Sequence, residues 1–197
     1  MAQIKFQFQK GKHAVLVRLF EHRDIREYGD YIFLSPPELF DSIGLDYRKL
    51  PSRQVWEENL TKRISEFETS SHPSRIVAAE INGQAIAMVF FDLRHEDQIP
   101  RLHFHIFEPD LRRKGLGVPI FLAAVHILSR LNKIERFLVE PKASNLAMNG
   151  VARKLGLKHT KDHLMPAGPR TVEMIVSQYE LNVSMLPTLD SITESRI

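Results

Sequence analysis

The sequence predicts a mixed α/β domain in which a strand leads through a glycine-containing turn directly into a helix. Over residues 102–107 apolar side chains alternate with imidazoles, as in a half-buried strand. Over 118–131 apolar residues recur three or four positions apart, as in an amphipathic helix, and Pro119 lies in its first turn. Upstream, Asn82-Gly83 separates two apolar segments, 75–81 and 84–91, and predicts a tight hairpin.

The turn that joins this strand to the helix is basic and contains two glycines. The first helical N–H groups lack intrahelical partners and lie at the positive end of the helix dipole, so they bind anions. Gly115 and Gly117 leave the main chain uncrowded, and Arg112, Arg113 and Lys114 add three mobile positive charges. The turn is therefore predicted to bind phosphate groups.

Two other phosphate-binding motifs share the order strand, turn, helix. A Walker-type loop needs Gly-Lys followed by Ser or Thr, which this turn lacks. A dinucleotide-binding turn needs a third glycine where this chain has Ile120, although Glu135 has the spacing of its ribose-binding acid. The turn alone does not identify the group attached to the phosphate, and another nucleotide remains an alternative ligand.

Residues 107–117 follow the pattern apolar-x-Pro-acidic-apolar-Arg-x-x-Gly-x-Gly, which resembles the acetyl-CoA turn of the GNAT acetyltransferase superfamily. The resemblance implies acetyl-CoA as co-substrate. It also implies that the strand is splayed from its neighbour near a bulge at Phe107 and Glu108, so that main-chain groups bind pantetheine. The implied cofactor-binding residues are Phe107, Glu108, Arg112, Arg113, Lys114, Gly115, Leu116, Gly117, Val118 and Asn145.

The resemblance continues through the following strand, 137–141, and through a helix from Asn145 to Gly156. In the family the asparagine contacts pantetheine, whereas elementary helix chemistry makes Ser144 or Asn145 an N-cap; both interpretations remain open. The family's tyrosine, which is thought to protonate the departing thiolate, is replaced by Ala152. Tyr179, His159 and His163 are candidate substitutes, although the sequence does not place them at the sulfur.

The implied fold is a mixed, mostly antiparallel sheet of about six or seven strands with helices on both faces, splayed at the strand that ends near Phe107. A single domain is expected over 1–197. Residues 75–181 would form the acetyl-CoA-binding core, with a closing strand over 174–181. Residues 1–74 would wall the acceptor site, and 182–197, rich in Ser and Thr, would be a loosely ordered tail.

The first 74 residues contain an apolar strand segment, 13–20, and two helix starts. Ser35-Pro36-Pro37-Glu38 combines a cap, a first-turn proline and a capping-box acid. Ser52 is predicted to cap a second helix. The apolar face of that helix is predicted to comprise Val55, Leu60, Ile64 and Phe67.

Acetyl transfer to an amine needs a base with a pKa near neutrality, because only the neutral amine attacks a thioester. His103 and His105 lie two apart on the strand entering the turn, hence on one face with Arg101 and Phe107. The family often takes its base from this strand, so His103 is favoured as catalytic base and His105 is second. The alternative is that both imidazoles pack on the sheet. His103, His105 and Glu108 loosely resemble the metal-binding segment of cupin barrels. A cupin barrel would need more strands after this segment, whereas helices follow here, so a metal site is not predicted.

Composition is that of a globular protein: 197 residues, 43% hydrophobic, 26% charged, net charge +3 and no cysteine. The absence of cysteine excludes disulfides and an acyl-cysteine. No apolar segment reaches the ~18 residues of a membrane span, so a cytoplasmic location is expected. Interspersed charges give no nucleic-acid footprint. We expect a monomer or homodimer.

Two functions are therefore compared. The first is an acyl-CoA-dependent N-acetyltransferase that acts on a primary amine of a small molecule or protein. The second, suggested by Ala152 and the divergent N-terminal third, is a non-catalytic CoA or acyl-CoA sensor or scaffold. Glu38, Asp41, Asp92, Glu96 and Asp97 are candidates for recognising a cationic acceptor.

Overall fold

The computed structural model describes residues 4–69, 74–93, 98–188 and 193–196, and side chains over 4–67, 74–93 and 98–188. The described strands form one nine-stranded sheet in the order β7-β8-β6-β5-β4-β3-β2-β1-β9. The strands are β1 (Ile4–Lys10), β2 (His13–Leu19), β3 (Ile76–Ile81), β4 (Gln84–Leu93), β5 (Pro100–Ile106), β6 (Arg136–Val139), β7 (Lys158–Met165), β8 (Met174–Asn182) and β9 (Thr193–Arg196).

Five α-helices accompany this sheet in the described part of the chain. They are α1 (Ile25–Phe33), α2 (Pro37–Ile43), α3 (Arg53–Thr69), α4 (Gly117–Asn132) and α5 (Leu146–Lys154). One buried cluster packs α4 and α5 against one face of the sheet, and a second packs α1 and α3 against the other. No helix among the residues described is long and apolar enough to cross a membrane.

The mixed, mostly antiparallel sheet with helices on both faces is confirmed, and so are the hairpin and the closing strand. Asn82 and Gly83 both have positive φ angles, 53° and 80°, as a tight hairpin turn requires. The sheet is larger than the predicted six or seven strands. β7 is highly polar and lacks the alternation that marks a half-buried strand, while β1 alternates clearly at Ile4, Phe6 and Phe8 but is not among the predicted strands.

The expected loosely ordered tail is wrong for residues 193–196. They form β9, which pairs antiparallel with β1 from Ile4↔Arg196 to Gln7↔Thr193. This strand satisfies main-chain groups on an otherwise open edge, an interaction that depends on backbone rather than on side-chain pattern. Residues 189–192 and 197 of that tail lie outside the described residues.

The sheet splits between β5 and β6, the one parallel pair among the described strands. Only Arg101↔Leu138 and Leu102↔Val139 are paired in register. β6 ends at Val139, and the carbonyl of Pro141 accepts a hydrogen bond from the N–H of Ser177 at 2.9 Å, so the chain beyond β6 stays with β8 and not with β5. The predicted splay is therefore confirmed. β5 remains in regular register with β4 from Pro100 to Ile106, and the bulge expected near Phe107 and Glu108 lies beyond this paired segment and stays a prediction.

The predicted buried face of α3 is confirmed at Leu60, Ile64 and Phe67 and wrong at Val55. Ser52 caps it, with its hydroxyl 3.4 Å from the N–H of Val55. The Val55 side chain is 45% exposed, and the buried face begins instead at Trp56 and continues through Leu60 and Ile64. The four-residue steps from Trp56 to Leu60 and Ile64 match one face of the helix, whereas Val55 lies about 100° away.

A buried ion network anchors the beginning of α1 to the sheet. Arg18 on β2 is 1% exposed and donates two hydrogen bonds to Asp24, at 2.7 and 2.8 Å. Its Nε donates to Glu80 on β3 at 2.7 Å. Burial alone would lower the pKa of Arg18, but hydrogen bonds and charges from Asp24 and Glu80 raise it above its ordinary value. The network fixes the helix that carries Tyr28 and Tyr31.

Candidate active site

The turn that is predicted to bind phosphate lies where β5 leaves the sheet and α4 begins. Arg113 and Gly115 adopt positive φ angles, 62° and 77°, which turn successive main-chain N–H groups toward one side. Within the described residues, the N–H groups of Leu116, Gly117 and Val118 have no main-chain partner, whereas that of Ile120 donates to Leu116. The turn thus has the free donors that the sequence predicts.

Gly117 faces the opening between β5 and α5. A β-carbon at this position would lie 3.4 Å from Cγ2 of Val151 and 3.6 Å from Cε1 of Phe104. One added carbon is accommodated at these distances, but a longer side chain would fill the opening. Gly117 therefore keeps clear the path from the turn into the split of the sheet.

The three basic residues of the turn have different surroundings. Arg113 and Lys114 are exposed, whereas Arg112 is half-buried. The Arg112 guanidinium donates to the carbonyl of Ile106 at 3.0 Å and approaches that of Phe107 at 3.4 Å. The structure thus places Arg112 as a clamp on the end of β5, in contrast to the mobile charge expected.

The split leaves an open main-chain edge on β5. N–H groups of residues 101, 103 and 105 point toward β4 in the antiparallel ladder, and Phe107 N–H donates to Ile86 at 2.8 Å. The main-chain groups of Phe104 and Ile106 therefore point toward β6, which has already diverged. An extended chain with amide groups would find donors and acceptors along this edge.

Aromatic side chains from α1, α3 and the sheet form a wall on the face of β5 opposite α4. The rings of Tyr28 and Trp56 pack edge-to-face at 4.7 Å, and Tyr28 stacks on Phe107 at 5.6 Å. The wall comprises Tyr28, Tyr31, Trp56, Phe90 and Phe107. The sequence analysis missed α1 and with it this wall, although Tyr28 and Tyr31 have the three-residue spacing of one helix face.

His103 is the accessible histidine of β5. Its ring stacks on Phe90, directly opposite on β4, with 4.5 Å between centroids. Its Nε2 is 3.2 Å from an Asp92 oxygen, an ion-pair distance, though among the described residues this nitrogen has no partner with hydrogen-bond geometry. The His103 side chain is 35% exposed. The ring is therefore half-exposed, with a carboxylate beside its buried Nε2.

His105 has the opposite environment. Its Nδ1 is 3.1 Å from the hydroxyl of Tyr31, and Tyr28 and Tyr31 surround the ring. Part of its surface reaches solvent, but burial lowers its pKa to about 3, with further lowering from the charges of His103 and Arg112. Burial also raises the pKa of Tyr31 to about 12. Both groups are therefore neutral at neutral pH.

The low pKa of His105 should make the folded state less stable in acid. An unfolded histidine binds a proton near pH 6.5, whereas folded His105 does so only near pH 3. Between these values the unfolded state binds more protons, so this group lowers the free energy of unfolding by about 1 kcal/mol per pH unit as pH falls. We expect urea denaturation at pH 6.5, 5.5 and 4.5 to show a shallower pH dependence for His105→Gln.

The control for this measurement is His22→Gln, which changes an exposed imidazole before α1. It should retain the wild-type pH dependence. An identical slope for wild type and His105→Gln would contradict the account of His105.

Asn145 acts as a helix cap in this structure. Its Oδ1 accepts a hydrogen bond from Met148 N–H at 3.1 Å, and Gly156 ends the helix with a φ of 69°.

Ala152 is fully buried on the inner face of α5. The hydroxyl of Tyr179 donates to the side chain of Asn149, one turn before Ala152, at 2.9 Å.

The remaining candidates occupy other places. His159 lies on β7 with its Nε2 2.9 Å from Asp162, and His163 Nε2 is 3.9 Å from Glu140. Asp41 contacts Lys142 through its main-chain carbonyl. Glu96 and Asp97 lie outside the described residues. In the parts of the chain described, no three His, Asp or Glu side chains converge as metal ligands.

The split of the sheet and the turn with free amides form one candidate site, and comparisons with known proteins identify the family. The sequence profile of the acetyltransferase (GNAT) family matches residues 38–157, more than half of the chain. The chain belongs to this family, which transfers acetyl groups from acetyl-CoA. No curated protein matches the sequence significantly.

Several solved structures share the fold at low sequence identity. RimJ from Mycobacterium smegmatis, in complex with CoA-disulfide, has a TM-score of 0.70 and 11% identity, covering 95% of this chain and 93% of its own. RimL, a ribosomal L7/L12 alpha-N-protein acetyltransferase in complex with coenzyme A, has a TM-score of 0.66 and 12% identity, covering 91% and 99%. YncA from Salmonella typhimurium, a putative acetyltransferase with acetyl-CoA, has a TM-score of 0.63 and 15% identity, covering 86% and 94%.

Proposed function

We propose that this protein transfers an acetyl group from acetyl-CoA to a primary amine of a small molecule or protein, with His103 as the general base. The observation that carries the proposal is the position of His103. It lies on the strand that is split from β6 and that leads into the turn with free amides. A cofactor bound along this strand would present its thioester beside the imidazole.

The split and the turn fit the two chemical parts of acetyl-CoA. The pantetheine arm contains amides, which match the open main-chain edge at Phe104 and Ile106. The pyrophosphate is anionic, which suits the free N–H groups from Leu116 to Val118 and the exposed charges of Arg113 and Lys114. Main-chain donors along the same edge would stabilise negative charge on the thioester oxygen during transfer.

The two histidines of β5 are suited to different roles. A general base must take a proton from the amine near neutral pH. The lowered pKa of His105 opposes this role, and its Nδ1 already contacts Tyr31. His103 is accessible and lies beside Asp92, which would stabilise the imidazolium that forms. We therefore assign proton removal to His103 and a positioning role to His105 and Tyr31.

The acceptor would approach across the face that carries the aromatic wall. This face contains His103, Asp92 and the half-buried ring of Phe90. Asp92 is 51% exposed and is the described acid closest to the imidazole, so it can attract an ammonium group before that group loses its proton.

A non-catalytic CoA sensor is the alternative, and the observation that favours it is Ala152. Its methyl group is buried in the core, so α5 offers no hydroxyl at this position to protonate the departing thiolate. A thiol with a pKa of about 8.5 is nevertheless a tolerable leaving group. The replacement is therefore expected to slow transfer rather than abolish it.

Release of free CoA thiol on mixing protein, acetyl-CoA and primary amines tests the proposal. The panel should contain polyamines, arylalkylamines, amino sugars and peptides with free N-termini or lysines. We expect thiol release that requires both protein and a particular amine, with acetylated product of matching amount by mass spectrometry. Saturable CoA binding without transfer to any class would favour the sensor.

A further inference from the structure

A basic cleft lies beside the phosphate-binding turn, on the side away from the split of the sheet. The turn between β1 and β2, residues 10–13, forms one wall. The cleft has a volume of about 430 Å³ and is lined by Lys12, His13, Asp110, Leu111 and Lys114. Two lysines from distant parts of the sequence thus face one space, with one carboxylate beside them.

Lys10 brings a further positive charge to the glycine turn. A β-carbon on Gly115 would lie 3.1 Å from Cε of Lys10 and 3.7 Å from its Nζ. Gly115 has a φ of 77°, so both its backbone conformation and this close approach favour glycine. The hairpin therefore packs its basic end directly against the main chain of the turn.

The positive charges around the cleft and the glycine turn are available to a ligand. Within the part of the chain that the structure describes, no carboxylate lies at ion-pair distance from Lys10, Lys12, Arg113 or Lys114. Placing several like charges around one cleft is unfavourable unless an anion or counterions screen them. The charge pattern is thus that of a site for a small, highly charged anion.

We propose that this cleft binds the 3′-phosphate of CoA, with Lys12 and Lys114 as its principal ligands and Lys10 supporting the pyrophosphate at Gly115. The inference rests on the proposed use of acetyl-CoA. A phosphate monoester carries a charge between −1.5 and −2 near pH 7. It would lie beyond the pyrophosphate, on the same edge of the sheet as the β1–β2 turn. The hairpin of β1 and β2 would then select CoA over forms that lack this phosphate.

Calorimetric titration of CoA and 3′-dephospho-CoA into wild type and Lys12→Gln tests this assignment. We expect wild type to bind CoA about tenfold more tightly than 3′-dephospho-CoA, as one charge-assisted contact would give. Lys12→Gln should weaken CoA binding about five- to tenfold and leave 3′-dephospho-CoA binding within twofold. The variant changes an exposed side chain, so its fold should be retained.

The matched control is Lys5→Gln, which removes the same charge from β1 about 17 Å along the strand from Lys10. It should change neither the affinity for CoA nor that for 3′-dephospho-CoA, which separates a local contact from an effect of net charge.

Equal weakening of both ligands by Lys12→Gln would overturn the 3′-phosphate assignment and place Lys12 at the pyrophosphate. Unchanged CoA binding in that variant would also overturn it. Failure of folded wild type to bind either ligand would instead contradict the proposed function itself.

Discussion

Replacing His103 with alanine is expected to lower kcat/KM for acetyl transfer by about 10²- to 10⁴-fold, the usual contribution of a positioned general base. The acetyl-CoA dissociation constant should stay within about twofold, because the ring stacks on Phe90 and faces the acceptor side. His103→Gln retains much of the side-chain volume but cannot accept the proton, so it should be nearly as impaired. Initial rates with the amine identified by the panel, alongside calorimetry, measure both quantities.

Two further variants define the role of the imidazole. Asp92→Asn should cause a smaller loss of kcat/KM, because the imidazolium that forms during transfer would lose its neighbouring carboxylate. His22→Ala, on the exposed turn before α1, should retain wild-type kinetics. A wild-type rate for His103→Ala would remove this residue from the mechanism.

Arg18→Ala is expected to cause the largest loss of stability, about 3–5 kcal/mol in the free energy of unfolding. The reason is that Asp24, 1% exposed, would remain buried without its cation, and Glu80, 9% exposed, would keep only the ion pair with Arg23. For a chain of this length, the corresponding decrease in Tm is roughly 10 °C. Urea denaturation and thermal unfolding of the purified variant measure the loss.

Arg18→Lys should recover only part of this stability, since one ammonium cannot reproduce the paired hydrogen bonds to Asp24. Arg26→Gln is the exposed control: Arg26 is 84% exposed and lies 4.0 Å from Asp30. Its change should stay below about 0.5 kcal/mol. An Arg18→Ala protein within 1 kcal/mol of wild type would show that the network does not hold α1 in place.

Local signals account for the parts of the fold that the sequence predicted. The Asn82-Gly83 turn, the Asn145 cap and the helix after Gly117 each depend on residues close in sequence, and all three are present. The positive φ of Gly115 likewise follows from local chemistry. The conformation of the glycine turn could therefore be predicted, whereas the side chains that surround it could not.

Contacts between distant segments account for what the sequence did not show. The Tyr31 hydroxyl contacts His105, which lies 74 residues later in the sequence. This contact and the burial of the ring give His105 a different environment from that of His103. The approach of Lys10 to Gly115 depends on the register of a hairpin at the other end of the sheet. Neither pairing leaves a periodic pattern in the sequence, because each joins single residues on separate elements.

Calorimetric titration of acetyl-CoA into wild type and Gly117→Glu tests the central claim most directly. The added carboxylate would fill the opening toward Val151 and Phe104 and repel the pyrophosphate. Gly150→Glu is the matched control, because a β-carbon there meets nothing within 4 Å. We predict micromolar binding by wild type and the control, and a loss of about 100-fold or more in Gly117→Glu. Absence of binding by folded wild type, or undiminished binding by Gly117→Glu, would contradict the assignment of this turn as the acetyl-CoA site.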